Sequence, residues 1–157
     1  MDTKTKKRFL LVCLGNICRS QMAEGILKSK VKKLKLNWDV ESCGTSNEHE
    51  GEPPHDSSIK VAKENNIDIS KHISKPFKKE YNNEFDHIYY MDEENYKDAK
   101  EISGSSWNQS KSDLLLNLLD DVKDKNVTDP WYGGEDGFYV VFKQLERACD
   151  KIVEKFK

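Results

Sequence analysis

The fold class is indicated most clearly by one segment, Val12-Cys13-Leu14-Gly15-Asn16-Ile17-Cys18-Arg19-Ser20. The apolar run that leads into it, from Arg8 to Cys13, is typical of a short strand that is buried on both faces. Gly15-Asn16 interrupts this run at once. A helical pattern begins at Ser20, with apolar residues on one face: Met22, Ala23, Ile26, Leu27, Val31 and Leu34. The stretch therefore predicts a buried strand, a compact loop and a helix in direct succession.

The loop between this strand and this helix is predicted to bind an anion. Gly15 has no side chain and Asn16 tolerates positive φ, so the backbone can curl and bring several amide N–H groups together. The N-terminus of the helix adds roughly half a positive charge. In α/β folds, loops at the carboxyl edge of a parallel sheet are where ligands bind. The predicted phosphate-binding residues of the loop are Leu14, Gly15, Asn16, Ile17, Cys18 and Ser20.

Three side chains give this loop its chemistry. Cys13 lies at its base, where the field that attracts an anion also favours the thiolate form of a cysteine. Arg19 can bind two oxygens of a tetrahedral oxyanion at once, and Ser20 can donate a hydrogen bond to the sulfur. This combination predicts covalent catalysis on phosphate monoesters, in which the thiolate attacks phosphorus. The alternative is that Cys13 is only the last residue of a core strand and that Arg19 is only a surface residue of a helix.

The rest of the chain alternates predicted strands and helices. After the first helix, the expected elements are a strand around Trp38–Ser42, a loop at 44–55, a helix at 57–66, a strand at 85–91 and a helix capped by Asp92 that runs to about Glu101. Residues 114–119 fit either a strand or a buried helical turn, residues 120–135 a long acidic loop, and residues 138–156 a final helix. This order favours an α/β fold with a mostly parallel sheet.

Composition and charge narrow the class of protein. The 157 residues suffice for one domain, which we place at residues 8–157 after a flexible tail at 1–7. The 26 basic and 28 acidic residues nearly cancel, which argues against a nucleic-acid-binding protein. We expect no export signal and no integral membrane segment. The four cysteines show neither zinc-site spacing nor the pattern of a secreted disulfide framework, so we expect a cytoplasmic protein.

Arginine is scarce among the basic residues. Only Arg8, Arg19 and Arg147 are arginine, and the other 23 basic residues are lysine. Guanidinium binds oxyanions through two parallel hydrogen bonds, which ammonium cannot do. We expect this geometry to matter at Arg19, whereas lysine could replace Arg8 and Arg147, since nothing near them in the sequence calls for a fork.

A second segment, Thr128-Asp129-Pro130-Trp131-Tyr132-Gly133-Gly134, suits the other half of the reaction. A tyrosine leaving group has a pKa of about 10, so a general acid speeds its departure by about a hundredfold or more. Asp129 would protonate the leaving oxygen and then deprotonate the attacking water, while Trp131 and Tyr132 would offer flat walls for an aromatic ring. On spacing alone, a simple Asp-Pro turn with aromatic residues packed on the last helix fits equally well.

Together, the two segments resemble the signatures of the low-molecular-weight protein tyrosine phosphatases. The similarity runs from Phe9 to the last helix and includes the intermediate blocks 42–45, 51–54 and 85–92. It implies a three-layer sandwich in which helices flank a four-stranded parallel sheet. It also implies hydrolysis of phosphotyrosine in proteins or peptides, and of small aryl phosphates. In that reaction Cys13 would be the nucleophile, Arg19 the phosphate clamp and Asp129 the general acid.

The same resemblance implies supporting roles. Asn16, Ser20, Ser42 and His72 would form a hydrogen-bond network that fixes the loop. The substrate cleft would contain Trp131, Tyr132 and Glu48, of which Glu48 stands where many family members carry an aromatic residue.

Cysteine roles also follow from the resemblance. Cys18 would form a reversible disulfide with oxidised Cys13 and so protect it from irreversible oxidation. Cys43 and Cys149 have no such counterpart and are expected to lie in the core.

Two other functions compete with the phosphatase. A thiol-dependent arsenate reductase shares the fold and loop but needs a further cysteine pair, and no cysteine lies between Cys43 and Cys149. A non-catalytic phosphotyrosine-binding module would need neither Cys13 nor Asp129. The expected partners are phosphotyrosine-containing proteins or peptides, with inorganic phosphate or a similar oxyanion as product or inhibitor. We expect no metal, no organic cofactor and no nucleic acid.

Overall fold

Parallel pairing builds a four-stranded sheet within residues 6–130 and 134–157, the part of the chain that the structure, a computed structural model, describes. β1 (Lys7–Cys13) pairs with β2 (Trp38–Gly44) on one side and with β3 (His87–Tyr90) on the other. β4 (Ser112–Leu114) pairs with β3. The strand order is β2-β1-β3-β4 and every pair is parallel, which confirms the predicted fold class.

Helices cover both faces of this sheet. One face packs against α1 (Arg19–Leu34), α2 (Asp56–Glu64) and α5 (Gly134–Phe156). The other face packs against α3 (Tyr81–Glu84) and α4 (Glu93–Ser103). Three short 3₁₀ turns complete the described elements: Gly104–Ser106, Gln109–Lys111 and Leu115–Leu118. The result is the expected three-layer sandwich.

β1 is the central strand because its side chains are apolar on both faces. Phe9 and Leu11 join the core beneath α1 and α5, whereas Leu10 and Val12 join the core beneath α3 and α4. All four are fully buried. Since successive strand side chains point to opposite faces, Cys13 at the end of β1 faces the α1 side, where it belongs to the first core cluster.

Several predicted boundaries differ from those in the structure. Residues 114–119 combine both alternatives, because β4 ends at Leu114 and a 3₁₀ turn follows at once. The apolar run at 85–91 forms a strand only over His87–Tyr90, and the helix predicted at 57–66 begins at Asp56 and ends at Glu64. The short helix α3 has no apolar period and was not predicted. No helix in the described ranges is both long enough and apolar enough to cross a membrane.

The start of the chain and the cap at Asp92 can also be compared with their predictions. Lys7 already belongs to β1, and its amide donates to the carbonyl of Asn37 at 3.2 Å. Residues 1–5 of the predicted tail lie outside the described residues. Asp92 is confirmed as a helix cap, since its side chain accepts a 2.7 Å hydrogen bond from the amide of Asn95.

The expectation that lysine could replace Arg8 is wrong. Its Nε donates to Asp39 at 3.2 Å, Nη2 to Glu41 at 3.0 Å, and Nη1 to the carbonyl of Glu84 at 2.8 Å. Its guanidinium carbon also lies 4.4 Å from the ring centre of Phe85. An ammonium group cannot satisfy three acceptors in these directions while stacking on a ring. These acceptors come from distant parts of the chain, so they could not be inferred from the residues around Arg8.

Candidate active site

A cavity of about 250 Å³ opens at the carboxyl end of β1. Its floor is buried, since Cys13, Cys18 and Arg19 are each less than 10% exposed. Its mouth includes the exposed side chains of Leu14 and Glu48. The structure thus brings most of the predicted site residues together. The lining residues are Cys13, Leu14, Gly15, Ile17, Cys18, Arg19, Ser46, Glu48, His49 and Asp129.

The loop curls around the sulfur of Cys13. The amide of Asn16 donates to Cys13 Sγ at 3.2 Å, and Ser20 Oγ lies 3.0 Å from the same sulfur. Asn16 has the positive φ, 56°, that the turn requires. Gly15 is needed for a different reason, because a Cβ there would lie only 2.9 Å from the ring of His49. Cys18, the N-cap residue of α1, makes no side-chain capping hydrogen bond.

The side chain of Asn16 is the centre of the predicted network. Its Nδ2 donates to Ser20 Oγ at 2.7 Å and to Ser42 Oγ at 3.0 Å. Its Oδ1 accepts from His72 Nε2 at 3.0 Å and from the amide of Lys75 at 3.2 Å. Every hydrogen-bonding position of this buried amide is therefore used, which ties the loop to α1, β2 and the segment after α2.

Glu24 is a member of this network that the sequence analysis missed. Its carboxylate accepts a 2.5 Å hydrogen bond from Ser42 Oγ and lies 3.6 Å from His72 Nδ1. It also pairs with Lys28 one turn later on α1. The available signal was its position four residues after Ser20, on the same face of α1. Glu24 supports Ser42 and His72, which in turn hold Asn16.

Arg19 is buried and oriented by two acceptors. Its Nη1 donates to Asp92 Oδ2 at 2.7 Å and to the carbonyl of Val127 at 2.9 Å. Burial opposes its charge, but the neighbouring Cys13, Asp92 and Asp129 raise its pKa overall. Both hydrogen bonds that Arg19 makes with the described residues use Nη1, which leaves Nε and Nη2 for an oxyanion. Asp92 was predicted only to cap a helix, but its carboxylate also orients Arg19.

The remaining cysteines differ from Cys13 in their surroundings. Burial raises the pKa of Cys18 to about 12, and the negative charges of Cys13 and Asp129 add to this effect. Burial also raises the pKa of Cys149 to about 12 and that of Cys43 well above its usual value. Both Cys43 and Cys149 are fully buried. They lie on opposite faces of the sheet, within the two core clusters.

The mouth of the cavity is formed by two loops. Ser46, Glu48 and His49 come from the loop after β2, and Asp129 comes from the loop before α5. Asp129 therefore lies at the same cavity as Cys13 although 116 positions separate them in the sequence. Trp131 and Tyr132, which were predicted in the cleft, lie outside the described residues.

The fold and site define an α/β protein with a buried thiol and a buried guanidinium at the end of its first strand. Residues 8–157 match the family model described as low molecular weight phosphotyrosine protein phosphatase. The mouse low molecular weight phosphotyrosine protein phosphatase is 36% identical over 151 residues, with 95% of each chain covered. A low molecular weight protein-tyrosine-phosphatase of Staphylococcus saprophyticus is 37% identical, covering 90% of this chain and 88% of the relative.

A solved structure points to the same family. The protein tyrosine phosphatase of Entamoeba histolytica, with Hepes in its active site, superimposes with a TM-score of 0.87 at 33% identity, covering 95% of this chain and 96% of that chain. The chain therefore belongs to the low molecular weight phosphotyrosine protein phosphatase family. The prediction of an enzyme of this hydrolase class is confirmed.

Proposed function

We propose that this protein hydrolyses phosphotyrosine in proteins and peptides, and small aryl phosphates, through a phosphocysteine intermediate on Cys13. One observation carries the proposal: the sulfur of Cys13 lies on the floor of a cavity that Arg19 and Asp129 also line. A thiol, a guanidinium and a carboxyl group at one cavity match the nucleophile, clamp and acid of this reaction.

In the first step the thiolate of Cys13 attacks phosphorus, and the bond between phosphorus and the tyrosyl oxygen breaks. The loop amides, together with Nε and Nη2 of Arg19, bind the phosphoryl oxygens. The negative charge on these oxygens must be stabilised most strongly in the transition state. Asp129 donates its proton to the departing phenolic oxygen, so the leaving group departs as a neutral tyrosine.

In the second step water attacks the phosphocysteine and inorganic phosphate leaves. Asp129, now ionised, accepts a proton from this water, and the sulfur departs as a thiolate. The 3.0 Å contact between Ser20 Oγ and Cys13 Sγ supports that departure, because a hydroxyl donor stabilises a developing thiolate. Product phosphate occupies the same oxyanion site and is expected to inhibit.

Cys18 has a regulatory role within this proposal. It lines the same cavity as Cys13, and its thiol is buried and protonated at neutral pH. We expect peroxide to oxidise Cys13 first and Cys18 to close a disulfide with it, which protects Cys13 from sulfinic acid. The cytoplasmic location also stays a prediction.

The decisive experiment compares two activities in one preparation. Phosphate release from phosphotyrosine is expected, and thiol-dependent reduction of arsenate is not. Cys13→Ser should abolish turnover while inorganic phosphate still binds, because the amides and Arg19 remain in place. A Cys13→Ser protein that keeps more than a few per cent of the activity would contradict the nucleophile assignment, and arsenate reduction at a comparable rate would contradict the reaction.

A further inference from the structure

The charges at the proposed active site are separated by depth. The floor holds the guanidinium of Arg19, which is 3% exposed. The mouth holds two carboxyl side chains, Glu48 and Asp129. The chain has 23 lysines, but none of those in the described residues lines the cavity. A substrate therefore meets the positive charge of Arg19 at its phosphate and the carboxylate of Glu48 near the groups that remain outside.

The backbone that carries Glu48 is fixed against the catalytic loop. The amide of Thr45 donates to the carbonyl of Cys13 at 3.0 Å, and the amide of Ser46 donates to the carbonyl of Leu14 at 2.8 Å. The amide of Glu48 donates to Ser46 Oγ at 3.2 Å, which shapes the turn. The ring of His49 lies close above Gly15, where a Cβ would come within 2.9 Å of it. The position of Glu48 relative to Cys13 is therefore set by the fold.

The carboxylate of Glu48 is not neutralised by its neighbours. None of the ion pairs among the described residues includes it, although Glu41 in the preceding strand pairs with both Arg8 and Lys75. The next residue, His49, pairs with Glu52 instead, at 3.1 Å. An exposed carboxylate that pairs with no cation of the described residues is available to a ligand cation.

We propose that Glu48 selects phosphotyrosyl segments that carry a basic side chain next to the phosphotyrosine. The inference rests on the function proposed above and specifies its substrate class. When the phosphate reaches the floor, the aromatic ring crosses the mouth and the peptide main chain stays outside. A flanking lysine or arginine then lies near Glu48, and a flanking aspartate or glutamate is repelled. Arginine should be favoured over lysine, because its planar fork matches a carboxylate.

The experiment measures kcat/KM for two phosphotyrosyl peptides of equal length. One has arginine on both sides of the phosphotyrosine, and the other has glutamate there. At low ionic strength the basic peptide is expected to react about tenfold faster, as two exposed charges a few ångströms apart allow. Glu48→Gln should reduce this ratio about threefold, mainly by raising KM for the basic peptide. Glu48→Lys, which changes the charge by two units, should bring the ratio close to one.

Glu101→Gln is the matched control. Glu101 is an exposed carboxylate on α4 that does not line the cavity, and the substitution changes the net charge equally. It should leave the peptide ratio unchanged. Raising the salt to about 0.5 M should bring the wild-type ratio towards one, because exposed charges are screened.

The outcomes separate the inference from the function. Hydrolysis of both peptides at equal rates, or a ratio that Glu48→Gln and Glu48→Lys leave unchanged, would overturn the inference and leave the phosphatase intact. An equal change of the ratio in Glu101→Gln would also overturn it, since bulk charge would then be the cause. Failure to release phosphate from p-nitrophenyl phosphate as well as from both peptides would overturn the proposed function and the inference with it.

Discussion

The floor and the mouth of the cavity are built in opposite ways. On the floor, Asn16 and Arg19 are buried, and Asn16 makes four hydrogen bonds to side chains and backbone from three parts of the chain. At the mouth, Glu48 is exposed, and its hydrogen bond to the described residues comes from its backbone amide. The groups that would perform chemistry are held in place, whereas the group that would choose substrates is left free to pair with them. Substitutions at the floor should therefore reduce turnover, and substitutions at the mouth should change preference.

Apart from loss of the nucleophile itself, the largest effect is expected for Arg19→Lys, which keeps the charge on the floor and removes the fork. Lysine cannot bind two phosphoryl oxygens while also satisfying Asp92 and Val127. We expect kcat for phosphotyrosine to fall about 10²- to 10³-fold, as when a transition-state donor is lost. Steady-state kinetics measures this, and inhibition by inorganic phosphate should weaken in parallel. A loss below tenfold would mean that charge, and not geometry, is what the floor supplies.

Asp129→Asn tests the group that reaches the cavity from the mouth. Without a proton donor, kcat for phosphotyrosine should fall about a hundredfold or more. The rate with p-nitrophenyl phosphate should fall much less, because p-nitrophenol is a stronger acid and leaves without help. Asp120→Asn, in the same acidic loop but away from the cavity, is the control and should change neither rate. Equal losses for the two esters would argue against general-acid catalysis.

Asn16→Gly tests whether the buried network matters for turnover. Glycine accepts the positive φ of 56°, so the substitution removes the side-chain hydrogen bonds without straining the backbone. Buried partners left unsatisfied should lower the free energy of unfolding by about 1–3 kcal/mol, and kcat should fall about tenfold as the loop loosens.

The matched control for this variant is Asn66→Gly. Asn66 also has a positive φ, 63°, but it is exposed and does not line the cavity. Chemical denaturation and steady-state kinetics should show little change there. If both variants lose the same activity, the network has no specific role in catalysis.

The smallest effect on turnover is expected for Arg8→Lys, far from the cavity. This arginine also uses a fork, but toward Asp39, Glu41 and the carbonyl of Glu84. The loss of these partly exposed hydrogen bonds should lower the free energy of unfolding by about 1 kcal/mol and leave kcat unchanged. A fall in kcat would show that the amino-terminal end of β1 and the active site are coupled.

Site residues that are close together along the chain could be predicted from the sequence, whereas those that are far apart could not be predicted from local pattern. Cys13 and Arg19 lie in one continuous stretch whose strand, loop and helix were visible in the sequence, so both their proximity and their orientation could be inferred. The network of Asn16, Ser20, Ser42 and His72 was inferred only through the family resemblance, because Ser42 and His72 are remote from the loop. Glu24 and the second role of Asp92 were missed, because their partners Ser42, His72 and Arg19 are remote from them in the sequence.

By itself, the sequence determined the order of strands and helices, the anion-binding loop and the residue types available for catalysis. These depend on local periodicity, on backbone preferences at Gly15 and Asn16, and on spacing within a few residues. Which distant groups meet at the loop depends on the tertiary structure. Parallel pairing places the carboxyl ends of β1, β2 and β3 at one edge of the sheet. That convergence brings Asp92 to Arg19, Glu24 to Ser42 and Glu48 to the mouth of the cavity.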